Sequence, residues 1–139
     1  MYTISNQYQD YFHNSVNTTN ATATTHRTLF CNNDSYSSYR NNTFQNNGPG
    51  GTTTFAAYIA ASTGTTFDYN NYFVTGGSNI AYHNSYGNFT IGNWNTFRQA
   101  AYGGLNSINV NSNFFSNTDL HHVNTLLNVG LDLTAIVNQ

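Results

Sequence analysis

Arg40-Asn41-Asn42-Thr43-Phe44 and Tyr69-Asn70-Asn71-Tyr72-Phe73 share one pattern, an asparagine, a spacer and an apolar residue. Phe12-His13-Asn14-Ser15-Val16 precedes them with the same ending, and Val110-Asn111-Ser112-Asn113-Phe114-Phe115 follows. Anchored on Asn14, Asn42, Asn71 and Asn113, the steps are 28, 29 and 42 residues. Between them runs a second series, Thr28-Leu29-Phe30-Cys31, Ala57-Tyr58-Ile59-Ala60 and Ile80-Ala81-Tyr82-His83, and Leu29 to Tyr58 is again 29. Thr24-Thr25 and Thr53-Thr54 keep that offset. Two independent series sharing a period of 28–29, with short strands and no helix between them, predict one coil of a β-solenoid per repeat. Leucine-rich repeats have a similar length but need a leucine lattice, which is absent.

Composition agrees. The chain has 139 residues, of which 25 are Asn, 20 Thr and 11 Ser, with no Lys and no Glu. Only 6% of residues are charged, and ten Phe and eleven Tyr can fill a core. Good helix formers give way to β-branched, aromatic and turn-favouring residues, so an ordered all-β chain forming a single domain over 1–139 is expected. Arg27, Arg40 and Arg98 are too few and too scattered to displace counterions from nucleic acid. No apolar run reaches the roughly 18 residues of a membrane span. Met1 is followed by neither a charged nor an apolar leader region, so no signal peptide is expected. Cys31 stands alone, which rules out a disulfide framework and makes a buried, inert thiol the expectation. Five N-x-S/T sequons, at Asn17, Asn20, Asn33, Asn41 and Asn88, match what so much Asn, Ser and Thr produces by chance.

In stacked coils, strands of successive repeats lie about 4.8 Å apart. Equivalent residues then form ladders, and an inward asparagine at each bend bonds its copies above and below. Asn14, Asn42, Asn71 and Asn113 are the expected ladder. The long third step is ascribed to an insertion: Ile91, Trp94, Phe97 and Ala101 lie at helical spacing, Thr90 can cap, and Gly103-Gly104 provides a stop. A short external α-helix near residues 91–101, pinned by Trp94 and Phe97, is predicted. Asn47-Gly48-Pro49-Gly50-Gly51 and Gly76-Gly77-Ser78-Asn79 read as loops, and Asn17 to Thr25 as a polar outer arc.

FHNSV near the start, NNTF, the FDYNNYFVTGG block, TIGNWNTFRQA and LNSINVNSNFFSNTDLHHVN together resemble the secreted right-handed parallel β-helix repeat proteins of the pectate-lyase-like superfamily, Bacteroidota-type surface proteins. The resemblance spans essentially the whole chain and is strongest from Phe67 to Asn124. Ser112 replaces the proline usual after the asparagine strand, and the chain stops at Val137-Asn138-Gln139 where relatives continue. The resemblance implies the C-terminal coils of a right-handed parallel β-helix, about 4–5 coils here, in a secreted or cell-surface protein. It implies no activity, because fold alone does not carry one.

The residues themselves argue against catalysis. Asp10, Asp34, Asp68, Asp119 and Asp132 are isolated in sequence, and none are coil-spaced as paired carboxylates require. His13 and His83 share an aromatic-His-Asn-Ser context that suggests equivalent positions, while His121 and His122 should point to opposite sides of a strand. No histidine or cysteine cluster suggests a metal, and no cofactor is expected. Tyr69, Tyr72, Tyr82, Tyr86 and Trp94 are the candidate contacts for a surface polysaccharide. A flat threonine ladder for ice would be only two rungs deep. The leading expectation is a non-catalytic structural or adhesive module: stalk, adhesin segment or fibre subunit. It joins further copies of itself end to end, or adjoining β-helix coils. Carbohydrate binding or lyase-like degradation is the alternative.

Overall fold

The computed structural model describes residues 1–19, 25–99, 103–124 and 127. Eleven strands, one 3-10 turn and one short α-helix are the named elements among them. Strands β1 (Tyr2–Ile4), β4 (His26–Ser35), β7 (Thr54–Thr63) and β10 (Asn79–His83) pair in parallel, in that order, and β11 (Gly87–Thr90) closes this first sheet in antiparallel fashion. Strands β2 (Asp10–Phe12), β5 (Ser38–Arg40) and β8 (Thr66–Asp68) form a second parallel sheet. Strands β3 (Ser15–Thr18), β6 (Thr43–Asn46) and β9 (Asn71–Val74) form a third. The chain thus visits the three sheets in the same order three times. It is all-β with parallel sheets.

The register is 28. Tyr11 lies opposite Tyr39 and Tyr39 opposite Phe67; Val16 lies opposite Phe44 and Phe44 opposite Tyr72. In the first sheet Tyr2, Phe30 and Tyr58 align at the same step, and the pairing slips once, at Asn32↔Ala61, before returning to it. The 29-residue offsets in the sequence therefore join neighbours rather than equivalents. Leu29 faces Ala57, Phe30 faces Tyr58, and Thr54 faces His26.

One core collects the inward side chains of all three sheets, including Leu29, Ala57 and Ala81, Tyr39 and Phe67, and Phe44 and Tyr72. Stacking at strand spacing lets aromatic rings lie nearly parallel. The centroids of Tyr11 and Tyr39 are 4.5 Å apart, those of Tyr39 and Phe67 4.7 Å, and those of Phe44 and Tyr72 5.7 Å. Aromatic pairs at such distances add about 0.5–1.5 kcal/mol each beyond their burial.

The corners repeat as well. Left-handed backbone occurs at Ser5 and Asn33, at Tyr8, Tyr36 and Gly64, and at His13, Asn41 and Tyr69, each group stepping by 28. Only some of these residues favour that conformation locally. The register imposes it on the tyrosines and Ser5.

The Thr90 capping box forms: its hydroxyl accepts from Gly92 N–H while Asn93 Oδ1 accepts from Thr90 N–H. It opens a 3-10 turn over Ile91–Asn93 that continues as α1 (Trp94–Gln99). The predicted residues 100 and 101 lie outside the described residues, as do 20–24 of the predicted polar arc. The helix is not an external ornament. Phe97 is buried in the core against Tyr72, Phe89 and Trp94. Tyr72 belongs to the last strand of its sheet, so Phe97 fills the core position that a further layer would occupy.

Candidate functional site

The polar column runs through Asn14, Asn42 and Asn70. Asn42 Oδ1 accepts the backbone and side-chain N–H groups of Asn14, and Asn70 Oδ1 accepts both from Asn42. Ser107 Oγ then accepts the Asn70 N–H and ends the column. Asn71 and Asn113 are not its rungs. Asn71 is in register with Thr43, one position on, so its side chain leaves the opposite face of the strand. There it holds the returning chain: its amide donates to Val110 O and Ser112 Oγ and accepts from Val110 N–H. Asn113 lies in that returning segment in left-handed conformation, bonded to Asn111 and Val123. The 42-residue step therefore measured no repeat.

The proposed polysaccharide contacts separate into different environments. Tyr72 is 0% exposed and cannot touch a ligand. Burial pushes its phenol above the usual range. Trp94 is half-buried against the core, and Tyr69 is half-buried at a corner. Tyr82 stacks at 4.3 Å on Tyr58, leaving part of its surface free. Only Tyr86 is widely exposed, at 55%. Tyr82 belongs to a row the sequence reading missed, Tyr2, Phe30, Tyr58 and Tyr82 on the outer face of the first sheet. Arg27 covers it, with its guanidinium 3.9 Å from the Tyr58 centroid. The 28-residue step from Tyr2 to Phe30 to Tyr58 was the signal that could have found it.

A buried group of ionisable side chains surrounds Asp34. Asp34 is fully buried; its carboxyl accepts from the Tyr39 hydroxyl at 2.5 Å and from Asn6 N–H at 3.0 Å. Cys31 Sγ lies 3.6 Å from the same carboxyl, and burial followed by the Asp34 charge pushes its thiol up to about 12. Burial also raises Tyr39. A protonated thiol and phenol shut away from solvent are not nucleophiles. Among the described residues no cluster of three or more His, Cys, Asp or Glu side chains is placed to hold a metal ion.

The returning segment lines a groove. Ile108 bridges Asn71, Ser112 N–H donates to Gln45 Oε1, and Thr118–His122 reaches His13 and Ser15 in the first layer. The segment thus crosses the outside of the third sheet from its last strand to its first. The groove, about 660 Å³, is lined by His13, Ser15 and residues 118–122. His121 and His122 both line it, although strand alternation predicted opposite sides. His13 and His83 are not equivalent either: His13 shares a column with Asn41 and Tyr69, whereas His83 pairs with Ile59. His121 Nδ1 lies 2.5 Å from Asp119 Oδ1, which holds the Asp119 carboxyl below its usual range. Both side chains are largely exposed, so the pair is solvated and weak.

The two ends differ. At the far end β11 pairs with β10, Phe97 covers the core, and residues 104–108 run along the last corner. Ile108 N–H donates to Asn70 O there, and Asn106 to Asp68. At the near end β1, β2 and β3 each pair on one side alone among the described residues. Tyr2 and Tyr8 are 67% and 73% exposed. No protein-family model, curated protein or solved structure matches the chain.

Proposed function

We propose that the three parallel sheets are the faces of a right-handed parallel β-helix, and that the chain acts as a non-catalytic structural or adhesive module outside the cell. One observation carries this reading. The 28-residue step is kept through the second and third sheets without a slip, while the polar side chains it aligns bond one another rather than converge on a cleft. A low-charge surface rich in Asn and Thr suits a weakly interacting extracellular stalk or adhesin segment, as in the surface proteins the sequence resembles. An open-ended fibre needs two open ends, and β11 with Phe97 occupies one of them, so the stalk or segment is the favoured form.

The test is incubation of the protein with pectin-like and other acidic polysaccharides, with and without calcium, followed by ultraviolet absorbance for unsaturated products. No product is expected; calcium-dependent product would overturn the reading in favour of a lyase. A glycan array run alongside tests the binding alternative, for which signal abolished by Tyr86→Ala would be required.

A further inference from the structure

The near end carries a specific pattern of hydrogen-bonding groups that no strand among the described residues pairs with. In β1, Thr3 lies opposite Cys31, Met1 O accepts from Phe30 N–H, and Ser5 N–H donates to Asn32 O. Alternate residues of a parallel strand face the same neighbour. Odd-numbered residues of β1 therefore face β4, and the backbone N–H and C=O groups of Tyr2 and Ile4 face away from it. Their side chains share the outer face, exposed to 67% and 56%, on either side of buried Thr3.

We infer that this edge pairs with β1 of a second copy, in antiparallel register, about a two-fold axis at Thr3. This deepens the structural reading above by naming the module's partner. In that register Tyr2 of one copy lies opposite Ile4 of the other. Both present outward backbone groups, so each pair exchanges two hydrogen bonds. The same register sets each exposed Tyr2 beside the other copy's exposed Ile4, a cross-strand apolar contact. A strand that is its own complement under a two-fold makes a closed pair, not a growing array. Head-to-tail addition is blocked by β11 and Phe97 at the other end. No charged side chain lies on β1, so no like charges meet across the paired strands.

Sedimentation of the full chain over its soluble concentration range tests this. The expected result is a reversible shift from one-copy to two-copy mass that stops at two, with slower amide exchange at Tyr2 and Ile4 in the heavier species. A Tyr2→Lys, Ile4→Lys variant changes exposed side chains only, and its fold is checked by circular dichroism. It should weaken pairing at least tenfold. A strictly one-copy chain overturns the inference and leaves the edge to a strand of another sequence. Species growing beyond two, or pairing indifferent to the two lysines, overturns it too. The polysaccharide assay is independent: cleavage by a two-copy protein would sink the structural role and leave the pairing standing.

Discussion

Asn42 Oδ1 lies 3.0 Å from the backbone nitrogen and 2.9 Å from the side-chain nitrogen of Asn14, the residue 28 positions before it. Asn42 Nδ2 in turn donates to Tyr11 O and to Asn70 Oδ1. One side chain thus bonds polar groups in the layers on either side of its own.

Asn42→Leu should cost about 2–4 kcal/mol, since it strands several buried polar groups and each such loss costs about 1–3 kcal/mol. Urea unfolding measures it. The same change at exposed Asn84 should be close to neutral.

Gly104→Ala should destabilise comparably. Gly104 has φ +79°, and a Cβ there would sit 2.2 Å from the Phe67 carbonyl oxygen. Backbone strain of this kind costs about 1–3 kcal/mol before the clash is counted. The reduced urea midpoint is the readout, with an unchanged slope expected if the fold is retained.

Phe97→Ala should remove about 3–5 kcal/mol, as expected for a fully buried aromatic ring. Trp94, the single tryptophan, is 5.5 Å from that ring, so its fluorescence reports the loss directly. An unchanged midpoint would show that α1 does not seal the core.

The Cys31 thiol, raised to about 12, should resist alkylation at pH 8 until the protein is unfolded. Its raised value also contributes stability that is complete below the unfolded thiol range and lost as pH climbs from about 9 toward 12. Mass spectrometry after iodoacetamide treatment, folded against denatured, checks the first. For the second, Cys31→Ala should show a shallower alkaline fall in melting temperature.

His83 is buried on β10, its pKa is lowered by that burial, and its Nδ1 accepts from Ser85 N–H. A lowered folded value contributes stability present above pH 6.5 and lost as pH falls through the folded pKa. The melting temperature should drop between pH 7 and pH 5, and less so in His83→Gln.

The repeat, the β class and the capped helix at Thr90 were legible because composition, spacing and capping chemistry are local. The ladder was half legible. Asn41-Asn42 and Asn70-Asn71 are both doublets, and taking the second member of each placed Asn71 where Asn70 belongs. A one-residue slip turns a side chain to the opposite face, and nothing within the doublet tells which member turns inward. The left-handed corners at Tyr8, Tyr36 and Tyr69 were illegible for the opposite reason, since local preference argues against them.

By itself, the order of residues determined that strands recur at close to 28 positions and that aromatic side chains and asparagines would stack, because those follow from short-range patterning. Tertiary structure alone decided which asparagine bonds its neighbours, that Phe97 seals the core, and that residues 108–122 return across the third sheet. Each of these depends on groups far apart in the chain meeting in one register, and hydrogen bonds and packing across layers select that register.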